Sequence, residues 1–429
     1  MSKPSGPKLA LHWQILIAIL LAVGAGLLAG EHGALFGVTF YSVFDFVGKL
    51  FLNALKMLIV PLIASSMIVG VAGLGSGESL GRLGARTIFF YATTSLTAII
   101  VGLSIINIVR PGIVEGVPAG QVMALEADGE QVASLIGDRG AGDIVEIFVR
   151  MIPENVFAAA SNNGSILGII FFSLLFGYFI TRIGEERGRL LVSFWRGVFE
   201  VMTRMTEWVM AFAPIGVFGL VAKVVAKAGL GAAGPLAVFA ACVLASLAFH
   251  LFVTLPLFIR VATGLRPWPL FSSMAPALLT AFSTASSSAT VPVTLDCIEK
   301  RAGVSNRVSS FVVPLGATVN MNGTALYECA AVIFIAQAYG VEMTVFSQFT
   351  VVLLALVTSI GVAGIPAASL VAIAVILTAV GLPPEAIAVL FVFDRILDMS
   401  RTAVNVAGDA AAAVIVGKLE GETGIFQKR

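Results

Sequence analysis

Long apolar runs alternate with short polar connections along the whole chain. A helix crossing the hydrocarbon core needs about 20 predominantly apolar residues. The runs over 12–30, 45–72, 87–109, 163–183, 190–226, 233–262, 305–338 and 384–416 meet that need, so the pattern predicts eight membrane-spanning helices. Pro61, Pro214 and Pro256 fall inside long runs and mark expected kinks, where neighbouring helices satisfy the freed carbonyls. The first run, from about Ile15 to Ala29, follows Lys3 and Lys8. It sits at the upper limit of a signal peptide's apolar core, about 7–15 residues, and with seven further runs behind it reads as an uncleaved first span.

Two more apolar segments, 268–299 and 345–380, break this pattern. The centre of the first, Ser283-Thr284-Ala285-Ser286-Ser287-Ser288-Ala289-Thr290, is too polar for a lipid-facing helix. The centre of the second runs Ser359-Ile360-Gly361-Val362-Ala363-Gly364-Ile365-Pro366, where Gly and Pro interrupt the helix. Backbone groups freed inside a membrane are tolerated only against protein or a water-filled cavity. Each segment therefore reads as a re-entrant helical hairpin, the first entering from the cytoplasm and the second from outside. Each precedes a full span carrying polar residues, an inverted arrangement that points to a transport site. Two ordinary helices with small packing faces are the alternative. That alternative accommodates the first segment but would place Lys300 and Arg301 on the wrong side.

Composition sharpens the picture. Of the 429 residues, 58% are hydrophobic, 12% are charged and 44 are Gly. Soluble domains carry about 25% charged residues, so there is too little polar surface here for a water-soluble globule. Lys+Arg 26 against Asp+Glu 25 gives a formal charge of +1, with no basic excess to suggest nucleic acid. The cationic residues cluster in the connections after the second, fourth and sixth spans, before the seventh, and at both ends of the chain. Basic connections favour the cytoplasm, so both termini are expected there, in a multi-pass protein of the cell (inner or plasma) membrane. Cys242, Cys297 and Cys329 form no CxxC pair. His250, inside an apolar run, reads as a packed or hydrogen-bonded helix histidine more readily than as a proton relay.

The exceptions to the scarcity of charge carry the chemistry. The last span places Asp394, Asp398, Arg401, Thr402, Asn405 and Asp409 at steps of three or four, one stripe at about 100° per residue. An intramembrane charge costs about 3 kcal/mol or more, so such residues face a cavity and mark an ion or substrate path. An internal Asp–Arg pair would explain two of them; a six-member stripe needs a site. In the seventh span, Asn320-Met321-Asn322-Gly323-Thr324 is poor helix sequence and predicts an unwound stretch. Its carbonyls with Asn320, Asn405 and Asp409 offer oxygen ligands and a single carboxylate, suited to Na⁺, without the sulfur or imidazole that transition metals favour. Arg401 suits a carboxylate, Asp398 an ammonium, and hairpin-tip amides a second carboxylate. Together they describe an acidic amino acid.

With these residues in place, the chain resembles the dicarboxylate/amino acid:cation symporter family, which includes the excitatory amino-acid transporters. The resemblance covers essentially the whole chain and is carried by SSSAT (286–290), NMNGTALYE (320–328), GVAGIP (361–366) and DRILDMSRTAVNVAGD (394–409). It implies that Asp398 holds the substrate ammonium and Arg401 its side-chain carboxylate, with Ser286, Ser287, Thr324, Thr402, Asn405 and the Ile365 backbone completing the site. One Na⁺ is implied among the Gly316 and Asn320 carbonyls, Asn405 and Asp409. A second is implied among the carbonyls of Thr318, Ser359, Ile360 and Val362, and a third among Tyr91, Thr94, Ser95, Asn320 and Asn322.

The resemblance further implies a homotrimer working as an elevator, with the second hairpin as the extracellular gate. Residues 1–72 would hold scaffold spans 1 and 2, and 73–109 transport-domain span 3. Residues 110–230 would supply the external loop and scaffold spans 4 and 5, 231–416 the rest of the transport domain, and 417–429 a cytoplasmic tail. Three departures stand out. Asn322 replaces an Asp usual in sodium-coupled members, and Ala285 and Met399 stand where many members carry an extra Arg. Glu328 matches a glutamate that the excitatory transporters use as a proton carrier.

The leading expectation is an all-α secondary active symporter for glutamate or aspartate, driven by Na⁺ with Glu328 as a candidate carrier of H⁺, and not an enzyme. H⁺-driven uptake of C4-dicarboxylates is the alternative, disfavoured because Asp398 would face no amine. A membrane serine hydrolase lacks a base: no His or Lys accompanies 283–290, and no GxSxG is present.

Overall fold

The computed structural model describes residues 11–72, 78–123, 125, 149, 152–161, 166–361 and 368–427. The chain is overwhelmingly helical. The first apolar run forms α1 (Leu11–Ala29), and the second forms α2 (Phe40–Ala72), which continues through Pro61. Next come α3 (Glu78–Val109) and α4 (Ile166–Ile180). Two two-residue β-ribbons, pairing Ala34–Leu35 with Val38–Thr39 and Ile113–Val114 with Val117–Pro118, lie in polar connections that the all-α reading overlooked. Among the described residues, five helices are long and apolar enough to cross a membrane, six if one bent pair counts as one. This is a multi-pass membrane protein.

Prolines divide the long runs as elementary stereochemistry requires. The run expected as one span over 190–226 is two helices, α5 (Glu185–Ala211) and α6 (Ala213–Ala228), meeting at 54°. Pro214 sits in the first turn of α6, where its missing N–H costs no intrahelical bond. The sixth run is α7 (Ala233–Phe249) and α8 (Leu255–Thr263), joined by a π-turn over His250–Thr254 just before Pro256. Such an expanded turn absorbs the disruption a proline imposes on the ladder.

The segment 268–299 folds as α9 (Pro269–Thr284) and α10 (Ser287–Asp296), packed on each other and linked by two residues. Ala285 takes the left-handed conformation (φ 51°), at a cost of about 1 kcal/mol for a residue with a Cβ. Ser286 is extended and its Oγ accepts the Ala289 amide at 3.2 Å, capping α10. The segment 345–380 gives α13 (Val345–Gly361) and α14 (Ala368–Ala379), which also pack together; the Gly-Ile-Pro connection lies outside the described residues.

Between these pairs run α11 (Asn306–Val319) and α12 (Asn322–Ala338). Only Asn320 and Met321 leave helical geometry, so the unwound stretch is shorter than Asn-Met-Asn-Gly-Thr suggested. Every residue of α12 is buried, enclosed by α3, α7, α13, α14 and the last helix, α15 (Phe391–Leu419). A second grouping stands beside this one: α1 and α2 pack on α6, and α2 also packs on α4 and α5.

Candidate functional site

The polar stripe of α15 points inward as a whole: Asp394, Asp398, Arg401, Thr402, Asn405 and Asp409 are all buried. At its centre the Arg401 guanidinium, fully excluded from solvent, donates to Asp394 Oδ1 (3.1 Å), Asp398 Oδ1 (2.9 Å) and Ser369 Oγ (2.8 Å). Its flat face lies 3.9 Å from the Tyr327 ring centroid. Arg395 approaches the other Asp398 oxygen at 3.6 Å. Two cations and two carboxylates thus balance one another in an apolar interior, where an unmatched charge would be untenable. Arg395, Tyr327 and Ser369 were missed as partners. The first two lay inside the quoted motifs, whereas nothing in the sequence marks Ser369, which the α14–α15 packing brings in.

One turn further on, Asn405 holds the start of α12. Its Oδ1 accepts from the Gly323 and Thr324 amides (2.8 and 3.4 Å), and its Nδ2 donates to Thr324 Oγ1 (3.0 Å). The absence of a side chain at Gly323 permits this closeness, since a Cβ there would lie 2.8 Å from the Arg401 carbonyl. Thr402 donates to the Asp398 carbonyl at 2.8 Å. Ser287, buried in the first turn of α10, lies on a helix that packs on α15. Of the expected substrate contacts, Ile365 lies outside the described residues.

The residues expected to hold Na⁺ fall into two groups. Asp409 Oδ1 accepts from Asn320 Nδ2 at 2.8 Å, and a Cβ on Gly316 would stand 2.2 Å from that oxygen and 2.7 Å from the Tyr91 hydroxyl. Gly316, Asn320, Tyr91 and Asp409 therefore converge from three helices. Tyr91 donates to the Val312 carbonyl (2.7 Å), and Thr94 and Ser95 are buried on the next turn of α3. Asn320 Oδ1 is a buried acceptor with no partner among the described residues, which fits a small hard cation. The donors, one carboxylate with amide and carbonyl oxygens, match Na⁺ better than a transition metal.

Elsewhere, Thr318 closes α11 and Ser359 and Ile360 lie in the last turn of α13, two helices that pack together; Val362 is outside the described residues. Terminal helix carbonyls lack intrahelical donors and carry the negative end of the dipole, an environment that favours cations. The structure also modifies the expectation that imidazole and sulfur stay away. His250 Nε2 is 3.2 Å from Asn322 Nδ2, and Met321 Sδ is 3.5 Å from Asn405 Nδ2. Seventy-two positions separate His250 from Asn322, so no local pattern announces the pairing. Glu328 is buried on α12, where Thr358 of α13 donates to its Oε2 at 2.8 Å.

A buried, charge-balanced stripe beside a broken helix, within a bundle of apolar helices, belongs to the class of membrane carriers that bind ions and charged solutes together. The sodium:dicarboxylate symporter family profile matches residues 11–419. The chain belongs to that family. It is 37% identical to the proton/sodium-glutamate symport protein of Bacillus caldotenax, over 97% of this chain and 96% of that one. It is 35% identical to the proton/glutamate-aspartate symporter of Escherichia coli (strain K12), over 96% and 93% respectively. Similarity extends to excitatory amino acid transporter 3 of Mus musculus, at 34% identity over 95% of this chain and 86% of the relative.

Proposed function

We propose that this protein takes up acidic amino acids, glutamate and aspartate, together with Na⁺, and that Glu328 carries a proton in the same cycle. The observation that carries this reading is the buried Arg401 guanidinium shared between Asp394 and Asp398. An amino-acid carboxylate is a bidentate partner for that guanidinium, and its ammonium is a partner for a carboxylate released from it. Substrate entry on these terms exchanges one set of ion pairs for another, and the one negative charge that the second substrate carboxylate adds is met by the hairpin-tip amides and the accompanying Na⁺. Asp398 is the ammonium acceptor in this scheme, and Thr324, Thr402, Asn405, the Ser286–Ser287 tip and the Ile365 backbone complete the site. A C4-dicarboxylate has no ammonium to offer Asp398, which is why amino acids are favoured.

Na⁺ binds first of all among Gly316, Asn320, Asn405 and Asp409, with a second position closed by Thr318, Ser359, Ile360 and Val362. The third position, with Tyr91, Thr94, Ser95 and Asn320, has Asn322 in place of a carboxylate. The five long apolar helices, the bent α5–α6 pair, α1 and α4 supply the eight spans of this reading, and the α9–α10 and α13–α14 pairs are its re-entrant hairpins. The grouping of α1, α2, α4, α5 and α6 supports the division into a scaffold and a moving transport domain, hence an elevator; the basic connections favour the cytoplasm for both termini. Helix α5 bears Arg196, Glu200, Arg204 and Glu207 exposed on its outer surface. Charges facing hydrocarbon are costly, and burial against other copies in a homotrimer removes that cost.

The test is uptake of labelled glutamate, aspartate and succinate into proteoliposomes while Na⁺, H⁺ and K⁺ gradients are varied one at a time. Uptake of the two amino acids that collapses without a Na⁺ gradient is the expected result. Succinate carried on a proton gradient alone would replace this reading with the dicarboxylate one.

A further inference from the structure

The arginines at one end of the molecule fall into two sets. Arg82, Arg86 and Arg307 converge on Glu420 at 3.5, 2.6 and 3.7 Å, and the Glu420 side chain is only 5% exposed. Beyond Glu420 the chain folds back. Glu422 accepts the Ser305 amide (3.0 Å), and the Phe426 amide donates to the Ala302 carbonyl (2.8 Å). This fold-back builds one wall of an open cavity of about 580 Å³, whose other walls include Arg266, Trp268, Ser272, Ser273 and Arg301.

Arg266 and Arg301 form no ion pair among the described residues, and no acidic side chain lines the cavity. The nearby acids are engaged elsewhere: Asp296 binds Lys300 at 2.5 Å, and Glu299 accepts from Asn306 and Ser309 at 2.9 and 2.5 Å. Two guanidiniums without counter-charge are thus held around a cleft large enough for a phosphate diester. Arginine donates in a planar fork that matches phosphate oxygens.

The position selects the source of that phosphate. Trp268 is 62% exposed at the foot of α9, and α8, ending three residues before Arg266, presents Leu257 (59%) and Val261 (78%) on its outer surface. An exposed indole and basic side chains directly below an apolar helix surface occupy the headgroup layer of a bilayer, and basic pockets between spans at that depth bind anionic headgroups. We infer that the cleft among Arg266, Trp268, Arg301 and the folded-back C-terminal residues is a binding site for an anionic phospholipid headgroup at the base of the first hairpin. The site is independent of the substrate assigned above. It does connect to it mechanically: α9 runs from Trp268 directly to the Ala285-Ser286 turn.

A photoactivatable phosphatidylglycerol in nanodiscs of the full-length wild-type protein tests this without any substitution. Labelled peptides should concentrate on 266–273 and around Arg301; labels spread evenly over the basic end would overturn the proposal. In native mass spectrometry, phosphatidylglycerol should be retained at least threefold less by the double variant Arg266→Gln/Arg301→Gln than by the wild type. The control pair Arg187→Gln/Arg189→Gln, in another basic connection, should retain it as the wild type does. Equal loss in the control would reduce the site to non-specific charge. Displacement of the lipid by millimolar inorganic phosphate would reassign the cleft to a soluble anion.

Discussion

Tyr327 and Arg401 are bound to each other twice over. The guanidinium lies 3.9 Å from the Tyr327 ring centroid, and the Tyr327 hydroxyl donates to the same Asp394 oxygen that Arg401 holds, at 3.1 Å. The pair joins α12 to α15 through a cation–π contact, worth about 2 kcal/mol when desolvated, and a shared carboxylate. Replacing Tyr327 with Phe removes the hydroxyl and keeps the ring. That variant should fold and transport with substrate affinity lowered by about tenfold, the effect of about 1.4 kcal/mol. Tyr327→Ala should abolish uptake. Concentration dependence of glutamate uptake separates the two, and equal behaviour would show that the ring contact is immaterial.

Arg401→Cys should eliminate uptake of glutamate and aspartate, since it removes the guanidinium shared between Asp394 and Asp398, whereas Arg395 reaches only the other Asp398 oxygen, at 3.6 Å. Competition with neutral amino acids in that variant reads out whether the remaining Asp398 and Asn405 still bind an amino-acid backbone. Unchanged affinity for acidic substrates would refute the assignment of Arg401.

Asp409→Asn should raise the Na⁺ concentration for half-maximal uptake by at least tenfold while leaving the helices intact, because it removes the single carboxylate beside Asn320 and Gly316. Gly316→Ala should act on the same parameter for a different reason. Its Cβ would stand 2.2 Å from Asp409 Oδ1, and forcing such a contact into a packed interior costs about 1–3 kcal/mol. Sodium titration of uptake, with melting temperature measured alongside, distinguishes lost coordination from lost packing.

Glu328→Gln keeps the size of the side chain and the acceptor for Thr358. If Glu328 carries the proton, this variant should still accumulate substrate on a Na⁺ gradient but lose its response to an imposed pH gradient. An intact response would assign the proton elsewhere.

The sequence made the membrane location, the helical character of the long apolar runs and the α15 stripe legible, because hydrophobic runs and helical spacing are local properties. Asp398, Arg401, Asn405 and Asp409 stood out since each breaks an apolar background. The break at Asn320 was legible from residue type, though not its restriction to two residues. What stayed hidden depends on approach between distant segments. Ser369 beside Arg401, Thr358 beside Glu328 and His250 beside Asn322 each look ordinary in their own helix, and only packing gives them a charged or amide neighbour. The bend at Phe212 was hidden for another reason: Pro214 announced a kink without saying that the helix would end and restart.

All 17 residues of α12 are buried. A helix with one lipid-facing side tolerates substitution once every three or four positions; this one has no such side. A systematic scan across 322–338 should therefore find intolerance with no helical period, whereas the same scan across α5, exposed at many positions, should oscillate. The lack of a permissive face also leaves α12 no direction in which to roll or slip against its neighbours. Whatever motion the protein undergoes, α12 travels as one piece with the helices that enclose it, by simple lack of room.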